Sequence, residues 1–146
     1  MRLKITRSVL VGFLLVLFCQ LRPASGAEPY KVIVNTSNPV SSISKDQVSK
    51  FFLKKVTKWD NGQTVLPVEL PKTSPARQAF SLQIHGKPVK AIESYWQQKI
   101  FSGRDVPPVE KPSDAQVVGY VKANAGAIGY VSGDTPAGGV KVVDVE

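Results

Sequence analysis

Residues 30–52, YKVIVNTSNPVSSISKDQVSKFF, carry the reading on which the fold rests. Tyr30-Lys-Val-Ile-Val-Asn35 is a β-branched run of strand length. Thr36-Ser-Asn-Pro-Val-Ser-Ser42 is dense in turn formers and reads as a loop. Ser44-Lys-Asp-Gln47 is a capping box, in which the serine hydroxyl accepts a backbone N–H three residues on and the glutamine reaches back. Val48, Phe51 and Phe52 then recur at helical spacing, so a helix starts at Ser44. A strand joined by a polar loop to a capped helix is the opening of an α/β domain.

Working forward, Phe52 to Trp59 ends that helix and Asp60-Asn-Gly62 is a turn. Thr64-Val-Leu-Pro-Val-Glu-Leu70 is a second strand, with Pro67 favouring an edge or irregular position. Ser74 and Pro75 are an N-cap and a first helical residue, the place where a missing N–H costs nothing. The helix they open carries Ala79, Phe80, Leu82 and Ile84 and stops at Gly86. Lys87-Pro88 starts another, with Val89, Ile92, Trp96 and Ile100 in helical register. After a Pro-rich connection, Gly103 to Pro112, a second capping box at Ser113-Asp-Ala-Gln116 leads a helix through Val117, Val118 and Val121 to Asn124. Gly126 to Val131 reads as a strand, Gly133 to Gly139 as a turn and Val140 to Val145 as a last strand. The order β-α-β-α-α-α-β-β predicts one α/β domain with helices packed on a sheet, and Trp59, Trp96 and Phe101 are assigned to its core.

Working backward, residues 1–27 have the parts of an export signal. Arg2, Lys4 and Arg7 form a positive start, and Ser8 to Leu21 is an apolar run short of the about 20 residues that a membrane span needs. Pro23-Ala24-Ser25-Gly26-Ala27 supplies small residues at the −3 and −1 positions of a cleavage after Ala27. The precursor's net charge of +8 falls to +4 on removal, because four of the 19 basic residues leave and all 11 acids stay. A domain of residues 28–146 with that balance has little pull on nucleic acid. The only cysteine, Cys19, lies inside the apolar run behind Phe18, a bulky residue where a lipoprotein signal wants a small one. The exported domain is then free of thiols, disulfides and sulfur metal ligands, with no membrane span left after cleavage.

Several segments resemble the phosphate-type periplasmic substrate-binding proteins, in that family's order and across the whole of residues 28–146. They are Phe51-Phe-Leu-Lys-Lys-Val-Thr-Lys-Trp59, Ser74-Pro-Ala-Arg-Gln-Ala-Phe80, Ile100-Phe-Ser-Gly103 and Gly126-Ala-Ile-Gly-Tyr-Val131. The resemblance implies one lobe of a periplasmic-binding-protein-like fold, a mixed sheet flanked by helices. It implies an exported phosphate- or oxyanion-binding domain, periplasmic or secreted, such as the solute-binding component of a phosphate ABC transporter. Family members have two lobes with the solute between them, so a second copy or an envelope protein would have to complete the cleft. At the family's anion loop, Ser74 matches the serine, whereas Pro75 stands for a glycine and Ala76 for a threonine. The family's arginine on the preceding strand is absent, with Glu69 and Leu70 near its place.

The residues left for an anion are Thr73, Ser74, Ala76 and Arg77: two hydroxyls, backbone N–H groups and a guanidinium at one helix start. A cation there opposes the helix dipole, so Arg77 calls for an anion or an acid as partner. The alternative is a plain cap at Ser74 and a solvated Arg77. A second functional reading is a binding-protein lobe that has lost solute capture and docks a partner protein in the envelope, for which the basic residues Lys54, Lys55 and Lys58 offer a face. Nothing points to an enzyme or a cofactor. His85 is the single histidine, without a set of metal ligands or an oriented acid and nucleophile around it. Gly126-Ala-Ile-Gly129 precedes a strand instead of opening a helix, which excludes a dinucleotide loop.

Overall fold

The computed structural model describes residues 28–146; the expected export signal, residues 1–27, lies outside the described residues. Tyr30–Val34 forms β1 and Ser42–Ile43 a short β2. In the loop between them the Asn35 and Asn38 side chains accept the N–H groups of Ser37 and Val40, the Asx pattern that lets a turn replace sheet pairing. Helix α1, Lys45–Phe52, begins at the expected cap: Ser44 Oγ accepts the Gln47 N–H at 3.2 Å. It buries Val48, Phe51 and Phe52. Strand β3 is Leu66–Glu69, and helix α2, Pro75–Phe80, continues as a π-helical turn, Ser81–His85, before Gly86 closes it at φ +65°. Helix α3 is Val89–Phe101, β4 is Val109–Glu110 and α4 is Asp114–Ala123, capped by Ser113. Strands β5, Ala127–Ser132, and β6, Lys141–Val145, complete the chain.

The six strands form one mixed sheet in the order β2-β6-β1-β5-β3-β4. Strand β1 lies antiparallel between β5 and β6, while β3 runs parallel to both β5 and β4. The Leu66 N–H bonds to Gly126 O on the β5 side, so Pro67 turns its missing donor the other way, where β4 begins pairing only at Val68. Its irregular position is met in this way.

Helices cover both faces. Strand β5 alternates between them: Gly129 faces α4, and a Cβ placed there would lie 2.7 Å from Val68 and 3.0 Å from Val117 side-chain carbons. Tyr130 faces the other layer, where its ring stacks on Phe80 at 3.9 Å and lies 5.7 Å from Phe52. Trp59 sits edge-on to Phe51 and donates its Nε1–H to Gly126 O at 2.9 Å, fastening the loop after α1 to the start of β5.

One expectation needs correction. Phe101 is 94% exposed and belongs to no core. Ile100 and Leu82 are also exposed. Helix α3 buries Ile92 and Trp96 alone, so its last turn stands clear of the packed layers, and Leu82 lies across its helix from the buried Ile84. Strands β2 and β4, two residues each, are too short to leave a periodic trace.

The close approach of α4 to β5 is testable. Gly129→Ala should destabilise the domain by about 1–3 kcal/mol, because the valine side chains it meets come from two packed elements. Chemical denaturation should show a lower midpoint at unchanged slope; an unchanged midpoint would mean the contact gives way freely.

Candidate functional site

Helix α2 sets its first turn over the end of β3. Ser74 Oγ accepts the Arg77 N–H at 3.4 Å, so the cap expected from the sequence forms and takes up that donor. Ala76 is buried, and Thr73 is exposed beside it. The Arg77 side chain turns inward and is only 7% exposed. Its Nη2 lies 3.0 Å from Glu69 Oε2, and its Nη1 donates to Leu70 O at 2.7 Å and stands 3.6 Å from Glu110 Oε2. The helix-dipole misfit of Arg77 is thus answered by two acids.

Of the four expected anion-side residues, Thr73 is exposed, Ala76 is buried, the Ser74 hydroxyl is spent on the cap and Arg77 is paired internally. The sequence reading missed Glu69 and Glu110 as its partners. Strand register supplies both, because Glu69 and Glu110 are direct partners across β3 and β4. Two like charges side by side repel, and the guanidinium they share relieves that repulsion. The one signal available earlier was Arg77 itself, a cation in a first turn with no acid within one helical turn of it.

The pair opens onto a groove of about 580 Å³. Lys72, Thr73, Trp96 and the Pro107-Pro108 ridge line it, together with Glu93. Lys72 Nζ lies 3.4 Å from Glu93 Oε1 across the exposed rim. Acidic side chains outnumber basic ones here, with Glu69, Glu93 and Glu110 against Lys72 and Arg77.

Burial governs the titration of this region. Loss of solvent raises Glu69 to about 7; the Arg77 charge opposes the rise and the Glu110 charge adds to it. The Tyr130 phenol is pushed up by burial and then by the Glu69 charge, and its hydroxyl has no hydrogen-bond partner among the described residues. His85 is lowered to about 4, chiefly by burial and then by the Arg77, Lys55 and Lys87 charges. The neutral ring lies with Nδ1 2.8 Å from Ser49 Oγ. Among the described residues no group of three His, Cys, Asp or Glu is placed to hold a metal ion.

Glu69 and His85 pull stability in opposite directions. The folded state holds a proton on Glu69 between about pH 4.5 and 7 that the unfolded chain has lost, so this group's contribution falls as pH rises through that window. The folded state lacks a proton on His85 between about pH 4 and 6.5 that the unfolded chain holds, so this contribution grows as pH rises. The two largely cancel near pH 5–6. Relative to the unaltered domain, His85→Asn should lose stability as pH rises through this range and Glu69→Gln should gain it, each by at most about 1.4 kcal/mol per pH unit. Unfolding by denaturant at stepped pH measures the slopes; parallel curves for all three proteins would contradict the burial of these charges.

Residues 26–145 match the family described as the PBP superfamily domain, and the chain belongs to that family. Solved structures share the fold. An ABC-type phosphate transport receptor from Vibrio cholerae superposes with TM-score 0.63 at 18% identity, over 80% of this chain and 46% of that one. A Clostridium perfringens protein assigned as a phosphate ABC transporter substrate-binding protein, solved with bound phosphate, gives 0.64 at 21%, over 80% and 44%. PstS from Borrelia burgdorferi gives 0.56 at 12%, over 81% and 47%. The chain therefore spans less than half the length of these relatives. No curated protein matches it in sequence.

Proposed function

We propose that this PBP-family chain is an exported oxyanion-recognition lobe of the phosphate-receptor type, acting as a solute-binding component of a phosphate uptake system. The observation that carries the reading is a buried guanidinium, Arg77, at the wall of a groove that also presents Lys72 and the Thr73 hydroxyl. Arginine and hydroxyl donors suit a tetrahedral oxyanion, and the structural relatives include a phosphate transport receptor and a protein solved with bound phosphate. The role is binding, with Thr73, Ser74, Ala76 and Arg77 as the anion-side residues. Residues 1–27 serve as the export signal that delivers the domain to the periplasm or the exterior, and no helix among the described residues is long and apolar enough to cross a membrane. Because one open groove buries little of a ligand, a second copy or an envelope protein completes the cleft.

A second reading is favoured by the internal pairing of Arg77 with Glu69 and by the exposed Phe101. In it the lobe has given up solute and docks a partner protein in the envelope.

Thermal unfolding of residues 28–146 in phosphate, sulfate and chloride at matched ionic strength separates the two. Phosphate at 100 times its dissociation constant should add about 2.7 kcal/mol of stability, reduced by Lys72→Ala. No phosphate-specific change at millimolar concentration, either side of neutral pH, would exclude the solute-binding reading. Loss of a co-purifying envelope protein in Phe101→Ser would then support the second. For export, N-terminal sequencing of the protein recovered from outside the inner membrane should start at Glu28; an intact Met1 on a cytoplasmic product would overturn the assignment of residues 1–27.

A further inference from the structure

The Arg77 guanidinium has five N–H donors. One is spent on Leu70 O, one points to Glu69 Oε2, and Glu110 Oε2 stands 3.6 Å from Nη1. An anion entering the groove would therefore meet a cation already neutralised by carboxylates, inside a region where like charges repel strongly for want of water. Glu69 is 4% exposed and cannot swing out to solvent while β3 keeps its place between β5 and β4. The charge on Glu69 must be removed where it stands, by a proton.

We propose that Glu69 is a built-in competitor for the anion, so that the groove takes up phosphate together with one proton, which comes from solvent and rests on the Glu69 carboxylate. The inference depends on the oxyanion-binding reading above. Protonating Glu69 removes one negative charge and leaves Arg77 with the half-exposed Glu110 as its one ionised partner, beside Lys72 and the Thr73 hydroxyl on the groove wall. The groups that face Glu69 are Arg77 from α2, Glu110 from β4 and Tyr130 from β5, with Glu93 on the far wall of the groove. The Arg77 charge opposes the larger effect of burial and favours the ionised carboxylate. Glu110 and burial favour its proton. An arriving phosphate adds negative charge and tips this balance toward the protonated form. Acidification therefore loads the site and alkalinisation empties it.

The test is titration of the domain of residues 28–146 with inorganic phosphate by calorimetry, at about pH 5.5 and about pH 8, with the unaltered chain and Glu69→Gln. With Glu69 titrating at about 7, some one-tenth of the protein is competent near pH 8, so the unaltered chain should bind about tenfold more weakly than Glu69→Gln there and about equally at the lower pH. Comparing the two proteins cancels the titration of phosphate itself. Repeating the titration in buffers of different protonation enthalpy should show extra proton uptake in the unaltered chain that Glu69→Gln lacks. Equal affinity in both proteins at both pH values would overturn the competitor role and leave the oxyanion reading standing. Absence of binding in both would overturn the two together. Should Glu69→Gln not fold, Glu110→Gln serves, since its side chain is exposed over half its surface. Removing that charge lowers the Glu69 proton affinity, so the pH at which phosphate binding is half lost should move down; an unmoved midpoint would overturn the proposal.

Discussion

A guanidinium placed inside a small domain has to be neutralised where it lies. Removing an ion from water costs several kcal/mol even after relaxation, and that cost is offset only by close, well-directed partners. Arg77 meets it with Glu69, Glu110 and the Leu70 carbonyl. Those partners come from β3, the chain leaving it, and β4, so the start of α2 is tied to the sheet's far edge. The two-residue β4 is held there by its pairing with β3, and the Lys111 N–H bonds onward to Glu69 O at 2.8 Å. The groove exists because this edge is fixed on one side and α3 stands off on the other.

The opposite demand is met on β5. That strand is paired on both sides and covered on both faces, leaving room for a large ring on one and nothing on the other. Tyr130 fills the first and Gly129 vacates the second so that α4 can close in. Rigid packing at the centre and an unfilled groove at the rim follow from the same sheet order. Layers that interdigitate at crystal-like density do not deform easily.

Much of this was legible in the chain. The capping boxes at Ser44 and Ser113 and the Ser74-Pro75 start each mark a helix to the residue, because capping is a local bond between near neighbours. The α/β class and the one-lobe, mixed-sheet architecture followed from element order and from the family resemblance. Phe101 was misplaced because it was assigned to the core as a large aromatic although it stands outside the register of Val89, Ile92, Trp96 and Ile100, and residue type does not say whether anything lies against it. Glu69 and Glu110 went unseen as a pair because they lie 41 positions apart and meet through the register of two parallel strands, which no local pattern encodes. Arg77 did announce the need for a partner, without saying which.

The consequence for specificity lies in charge. On the proposed oxyanion reading, a groove lined by three acidic and two basic side chains does not draw an anion at long range while Glu69 is ionised. Selection by such a site cannot come from electrostatic steering, which would slow an anion's approach, and must come from short-range donors once the ligand is seated. That favours a ligand with several oxygens over a compact monoatomic anion, since only the former can engage Arg77 and the Thr73 hydroxyl at once. It also makes the site's occupancy a function of what stands opposite it. A facing surface that brought cations to the rim would cancel Glu93 and Glu110 and exclude water, and each remaining hydrogen bond would then strengthen as the local dielectric fell. On the proposed reading, the open groove of a single lobe is in this sense a half-site whose affinity would be set by its cover.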